Sequence, residues 1–177
     1  MASYRRGGGI MASGARLHAA AGARDAAAVR QILEDCAAAV HFRDEDTGAT
    51  ALHVAAALDA GACVAALLKH APLLPARTAS GDTPLHSAAA AGASDATEKL
   101  LAARQSPHIE NDWGETPLHQ AAAAGDAATI KLLLDAGARV DGVDKWRRTP
   151  LTVAADLGLD AAVDALTHGG GADDDAA

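Results

Sequence analysis

Three histidines at fixed spacing are the residues of this sequence best suited to chemistry. His53, His86 and His119 follow one another at intervals of 33 residues, and imidazole is the commonest metal ligand among side chains. A shared zinc ion would need each nitrogen to lie about 2 Å from the metal. Helical units that recur at this interval and pack side by side are separated by roughly 8–10 Å. We therefore expect these histidines to have structural roles, and we expect no bound metal.

Motifs for catalysis or cofactor binding are missing from the sequence. It contains no Gly-x-Ser-x-Gly elbow, no phosphate-binding loop ending in Gly-Lys-Ser or Gly-Lys-Thr, and no His-Glu-x-x-His. The glycine run at 7–9 does not follow a strand pattern and is interpreted as a linker. The sequence therefore predicts a protein that is not an enzyme and needs no cofactor.

The histidines belong to a repeated phrase that predicts the start of a helix. Thr83-Pro84-Leu85-His86 returns as Thr116-Pro117-Leu118-His119, and degraded copies begin at Thr50 and Thr149, with a weaker Leu17-His18 upstream. Threonine is a good helix N-cap, and proline fits the first turn because its missing N–H costs nothing there. Glycines such as Gly125 and Gly137 end the two helices that follow. Each copy therefore predicts a pair of short helices.

A period of 33 residues with Thr-Pro-Leu-His-x-Ala resembles the ankyrin-repeat family. The resemblance implies an all-α solenoid of helix-turn-helix units joined by β-turn or hairpin loops. The five repeats would span about 13–44, 45–77, 78–110, 111–143 and 144–168. We expect a flexible N-terminal tail over residues 1–12 and an acidic, disordered tail over residues 169–177. The resemblance also implies that the histidines brace the Thr hydroxyl and the nearby backbone.

Two departures from the repeat pattern affect how it should pack. Repeat 2 has Asp59 at the turn between its helices, where repeats 3 to 5 have glycine, and repeat 3 has Thr97 where the others carry Val or Ile. Only 2% of the residues are aromatic, so the core must consist of Ala, Leu, Val and Ile. Leu118 should lie at its centre.

Both tryptophans lie in the predicted hairpins and neither lies in the core pattern. Trp113 and Trp146 each precede the repeated Leu by five residues, so they share a position in consecutive repeats. Trp and Arg are enriched at binding hot spots. The alternative is that each indole packs on the next hairpin and only stiffens the array, and the sequence leaves both interpretations open.

The resemblance implies non-catalytic protein–protein binding, as an adaptor or scaffold, through hairpin tips and the concave face. The candidate protein-binding residues are Ser80, Asp82, Asp112, Trp113, Glu115, Lys145, Trp146 and Arg148. The alternative function is a regulatory inhibitor or chaperone of an enzyme such as a protein kinase. A hydrolase in the concave groove is disfavoured, because the positions that would face it are mostly Ala.

Charge and cysteine content restrict the partner and the compartment. The 177-residue chain has a net charge of −8, whereas nucleic-acid binders usually carry a basic face. No apolar run approaches the roughly 20 residues that cross a membrane. Cys36 and Cys63 are isolated, which favours a reducing compartment. We therefore expect a monomeric, cytoplasmic protein that binds another protein, with a nuclear location as the alternative; translation could start at Met1 or Met11.

Overall fold

The computed structural model describes residues 4–70 and 76–169, which form ten α-helices and one 3-10 helix with no strand among them. The helices are α1 (Tyr4–Gly22), α2 (Ala26–Asp35), α3 (Ala51–Ala57), α4 (Gly61–Leu68), α5 (Pro84–Ala90), α6 (Ser94–Ala102), α7 (Pro117–Ala124), α8 (Ala127–Asp135), α9 (Pro150–Asp156) and α10 (Asp160–His168), and the 3-10 helix is Ala37–His41.

The helices pair along the chain and stack in two layers. The odd-numbered helices, α1 to α9, pack one on the next, and the even-numbered helices, α2 to α10, do the same behind them. Apart from α1 the helices have only seven to ten residues, and isolated helices shorter than about 12–15 residues are marginal in water. Their stability therefore depends on packing between neighbouring pairs.

Small and branched apolar residues fill the space between the pairs. The repeated leucine is fully buried at Leu17, Leu85 and Leu118, and the alanine pairs that follow it are buried from α1 to α7. These alanines allow neighbouring helices to approach closely. Thr97 and Thr129 are also fully buried, and neither hydroxyl has a hydrogen-bond partner among the described residues. An unpaired buried hydroxyl costs free energy, so each of these threonines makes the packing of its helix, α6 or α8, less stable than an apolar residue of the same shape would.

The turn between the helices of each pair requires a left-handed residue. Gly92, Gly125 and Gly158 have φ of +61° to +76°, while Arg24 and Asp59 adopt +57° and +52° at the same place in the first two pairs. Asp59 compensates for this backbone cost, because its carboxylate accepts the N–H of Ala96 at 2.8 Å. Ala96 lies in the first turn of α6, whose own N-cap, Ala93, has no side chain able to cap. The departure at Asp59 thus caps a helix of the next pair.

The N-terminal end differs from the sequence-based expectation. A flexible tail was expected over residues 1–12, but α1 begins at Tyr4. A helix elongates easily once its first turn is stabilised, and the buried turn around Leu17 supplies that support. Residues 1–3 and 170–177, which include most of the expected acidic tail, lie outside the described residues. None of the described helices is long and apolar enough to cross a membrane.

Leu118 and Leu151 occupy the same position in consecutive pairs, and they differ in burial. Leu118 is fully buried, whereas Leu151, in the last pair, is 37% exposed. We predict that Leu118→Ala lowers the free energy of unfolding by roughly 2–5 kcal/mol, as expected for a buried Leu truncation. Leu151→Ala is the matched control and should cost clearly less. Urea denaturation of both variants measures the difference, and equal losses would contradict this packing.

Candidate functional site

The loops that enter the odd-numbered helices form a row of short projections, here called fingers. Finger 2 comprises residues 44–49, finger 3 residues 77–82, finger 4 residues 110–115 and finger 5 residues 143–148. A backbone hydrogen bond closes each finger, for example from the Asn111 N–H to the Glu115 carbonyl at 2.9 Å. One further backbone bond joins each finger to the next, such as that from the Lys145 N–H to the Trp113 carbonyl at 2.9 Å. The row is therefore a continuous, backbone-bonded surface.

The spaced histidines hold this row in place. Nε2 of His53, His86 and His119 lies 2.9–3.0 Å from the carbonyl oxygen of Asp82, Glu115 and Arg148, respectively. Each carbonyl belongs to the last residue of the next finger. His18 makes the same contact with the Ala49 carbonyl at 2.9 Å. Each junction between helix pairs is thus closed by one imidazole.

The contact of the other ring nitrogen, Nδ1, determines which nitrogen of the imidazole carries the proton. The backbone N–H of Thr50, Thr83 and Thr116 donates to Nδ1 of the histidine three residues later, at 3.1–3.2 Å. Because an N–H can only donate, Nδ1 must accept, and the ring proton lies on Nε2. The Nε2–H then donates to the next finger. A doubly protonated ring would turn Nδ1 toward a donor and lose this bond.

Burial lowers the pKa of two of these rings, His53 and His86. Desolvation lowers the pKa of His53 from 6.5 to about 4, although its bond to the Asp82 carbonyl opposes this shift. The pKa of His86 is also lowered by burial, against the opposing effect of its bond to Glu115. Both rings are therefore neutral at physiological pH.

A chain of polar side chains joins fingers 3 and 4. The Asn111 amide nitrogen donates to the Asp82 carboxylate at 2.9 Å and to the Glu115 carboxylate at 3.0 Å. Ser80 donates to the other oxygen of Asp82 at 2.6 Å, and Gln120 of α7 donates to Glu115 at 2.6 Å. These carboxylates are thus occupied by contacts within the protein.

Arg148 extends the chain into finger 5. Its Nε donates to the buried Asp144 carboxylate at 2.8 Å, and its Nη2 lies 3.8 Å from a Glu115 oxygen. Its guanidinium also lies 4.9 Å from the centre of the Trp146 ring, a cation–π distance. Burial by itself would raise the pKa of Asp144, but its hydrogen bonds with the Arg148 and Trp146 N–H groups and the Arg148 side chain lower it overall. Arg148 therefore holds finger 5 and Trp146 in position.

The eight candidate residues consequently fall into two groups. Ser80, Asp82, Glu115 and Arg148 are partly buried. The first three are linked by hydrogen bonds, directly or through Asn111, and Arg148 joins them through its ion pair with Glu115. Asp112, Trp113, Lys145 and Trp146 are exposed on fingers 4 and 5, with the indoles 43% and 59% exposed. The first group fixes the fingers, and the second is free to contact a partner.

Two clefts border these residues. A cleft of about 400 Å³ lies between fingers 4 and 5 and includes Glu110, Asp112, Val143 and Lys145 in its lining. A second, of about 320 Å³, lies on the odd-numbered helices between Asp82, His86, Ser87 and Gln120, with an alanine floor. Within residues 4–70 and 76–169, no group of three His, Cys, Asp or Glu side chains is arranged to hold a metal ion.

Several residues of the site were not among the candidates. Asn111 and Asp144 are buried at corresponding positions in fingers 4 and 5, and each accepts two backbone N–H groups of its own finger. An Asn or Asp four residues before Glu or Arg in a predicted hairpin could have signalled this role. Val143 is 52% exposed, and its position in the repeat does not by itself indicate that it belongs to the site. Arg147 adopts a left-handed φ of +61° where the other three fingers have glycine.

Comparison with known proteins agrees with the stacked helix pairs of this fold. A family model that describes three copies of the ankyrin repeat matches residues 17–111 and residues 88–176, which together cover well over half of the chain. Among curated proteins, none matches this chain.

The burial of His53 predicts a loss of stability in mild acid. Because the folded pKa of His53 lies below its unfolded value of 6.5, the unfolded state binds more protons as pH falls from about 6.5 to 4. The contribution of His53 to the free energy of unfolding is therefore complete above pH 6.5. It decreases by roughly 3 kcal/mol as the pH falls from 6.5 to 4. Urea denaturation at several pH values measures this loss.

His53→Gln provides the control for this pH dependence. Glutamine at this position can still accept the Thr50 N–H in a capping box, but it does not titrate. The variant should lose stability less steeply than wild type between pH 7 and 4.5. Identical slopes for the two proteins would contradict the assignment of a neutral, buried His53.

Proposed function

The chain belongs to the ankyrin-repeat family, and we propose that it is a non-catalytic module that binds a partner protein through the tips of fingers 4 and 5. Ankyrin repeats are protein–protein interaction modules in general. The specific surface proposed here comprises Asp112, Trp113, Lys145 and Trp146, on the frame that Ser80, Asp82, Glu115 and Arg148 provide. We further propose that the protein acts as a monomeric, cytoplasmic adaptor or scaffold.

The exposure of the two indoles is the observation that carries this proposal. Trp113 and Trp146 are 43% and 59% exposed, while the leucines at the repeated core position are buried in the first four helix pairs. Large exposed aromatic side chains that cluster on one surface are typical of interaction sites. Arg148 holds the Trp146 ring from one side, so this indole has fewer conformations to lose when a partner binds.

The rigid frame of the fingers also supports a binding role. Backbone bonds link fingers 2 to 5, and imidazoles join each finger to the helix pair before it. A surface that is ordered before binding loses less conformational entropy when the complex forms. The shallow cleft beside Ser87 and Gln120 would extend the contact onto the concave face.

Substitution of the tryptophans tests this proposal. We predict that Trp113→Ala or Trp146→Ala weakens partner binding by at least about 2 kcal/mol, roughly 30-fold in affinity. The melting temperature should change little because the leucine and alanine core is untouched. Affinity capture from source cells with mass spectrometry identifies the partner, and titration of the purified pair measures the affinity.

Leu157→Ala is the matched control, because Leu157 is 58% exposed but lies at the end of α9, away from the fingers. This variant should bind as wild type does. If the tryptophan variants melt much earlier and their folded fraction still binds normally, the indoles are structural and the proposed surface is wrong. If the captured partner is an enzyme that the protein inhibits, the protein is a regulator of that enzyme and the proposed adaptor role is wrong.

A further inference from the structure

The cleft between fingers 4 and 5 has unpaired charges of opposite sign on its two walls. Glu110 and Asp112 line it from finger 4, and Val143, Asp144 and Lys145 line it from finger 5, where the Asp144 carboxylate is paired with Arg148. Asp112 and Lys145 occupy the same position in their fingers, so the charge changes sign from one finger to the next. Gly114, with φ of +75°, lies between them, and a Cβ there would approach the Lys145 backbone nitrogen to 3.2 Å.

Three charged side chains that line this cleft, Glu110, Asp112 and Lys145, are available to a partner, and so is Arg147, which belongs to finger 5 but not to the lining. Within the part of the chain that the structure describes, the side chains of Glu110, Asp112, Lys145 and Arg147 make no hydrogen bond or ion pair with another residue, and all four are exposed. The neighbouring carboxylates of Asp82, Glu115 and Asp144 are bonded within the fingers, as described above. The two fingers therefore present one free acidic pair beside one free basic pair.

The exposed apolar groups lie within the same two fingers. Trp113 and Trp146 each follow the charged residue of their finger, and Val143 is 52% exposed on the cleft wall. Adjacent helix pairs are roughly 8–10 Å apart, and an extended chain advances about 3.3 Å per residue. A bound strand that crosses from one finger to the other would thus place its charged groups about three positions apart, with two residues between them.

From this juxtaposition we infer that fingers 4 and 5 recognise an extended peptide segment of the partner with opposite charges on either side of an apolar pair. A basic group of the segment lies against Glu110 and Asp112, an acidic group lies against Lys145 and Arg147, and the apolar residues between them pack on the indoles and Val143. This inference rests on the proposed binding function and specifies the chemistry of the partner.

Partners with a single sign of charge fit this surface less well. A uniformly acidic segment would be attracted to finger 5 and repelled by Glu110 and Asp112, and a uniformly basic segment would meet Lys145 and Arg147. Like charges placed opposite each other at an interface disfavour a partner strongly. A nucleic acid, whose phosphates are all negative, is disfavoured for the same reason.

Two fluorescein-labelled peptides of identical composition test the inference. The bipolar peptide is Gly-Ser-Lys-Lys-Leu-Phe-Glu-Glu-Ser-Gly, and the interleaved peptide is Gly-Ser-Lys-Glu-Leu-Phe-Lys-Glu-Ser-Gly. Fluorescence polarisation at low and moderate salt measures their affinities for the full-length protein. We expect the bipolar peptide to bind at least about threefold more tightly, with an advantage that decreases as salt screens the charges. Equal binding of the two peptides, or binding of neither, overturns the inference.

Charge exchange between the fingers provides the sharper test. Glu110→Lys combined with Asp112→Lys makes finger 4 basic like finger 5, and Lys145→Glu combined with Arg147→Glu makes finger 5 acidic like finger 4. Each of these paired variants should lose the preference for the bipolar peptide. The variant that combines all four changes restores fingers of opposite charge in reversed order and leaves the net charge unchanged. A short peptide can bind in the reverse direction, so the combined variant should recover the preference. A combined variant that binds as poorly as the paired variants would overturn the inference.

The same assay separates this inference from the proposed function. Trp113→Ala should weaken the binding of both peptides, because both contain the same apolar pair. If the natural partner depends on the tryptophans while the charge exchange has no effect on its binding, the surface is correct and the bipolar chemistry is wrong. Sedimentation velocity of the protein alone tests whether a second copy occupies the surface, and a stable dimer blocked by Asp112→Lys would replace the peptide as occupant.

Discussion

One hydrogen bond per junction, from an imidazole to the carbonyl of the next finger, determines how the helix pairs and the fingers are aligned. His18, His53, His86 and His119 make this contact in succession. The bond stabilises the array because both groups are removed from water, where an unpaired buried donor would cost about 1–3 kcal/mol. A junction with the wrong register would leave the ring unpaired. The same bond positions the last residue of each finger, and those residues include Asp82, Glu115 and Arg148 of the site.

The last helix pair that the structure describes has no histidine at this position. The last pair has Thr152 where the earlier pairs have histidine, and its hydroxyl donates to the Thr149 carbonyl within its own helix. No described finger follows that could accept an imidazole proton, and a shorter side chain satisfies itself locally. Among the described residues, finger 5 has a neighbouring finger on one side, finger 4, and the ion pair of Arg148 with Asp144 supplies further support.

Much of the fold could be predicted from the sequence, because short helices with a regular leucine and alanine pattern must stack to bury it. The repeat spacing predicted the helix pairs, the cap at Thr83 and the burial of Leu118. Contacts between pairs were harder to predict, since they join residues that are distant in sequence. Asp59 caps α6 across 37 residues, and Asn111 bridges Asp82 and Glu115. The sequence pattern therefore marks the candidate residues as a single set, and only the side-chain contacts divide them into supporting and exposed groups.

The state of the imidazoles tests the central claim most directly. Long-range ¹H–¹⁵N correlation spectra distinguish a protonated ring nitrogen from an accepting one. At pH 7 His53, His86 and His119 should each show a proton on Nε2 and an unprotonated Nδ1. His53 should remain neutral at pH 5.5, because burial lowers its pKa to about 4. The pKa of His86 should also lie below 6.5, because burial lowers it in the same direction. A proton on Nδ1 at these positions, or titration of His53 near pH 6.5 in the folded protein, would contradict the account of how the fingers are held.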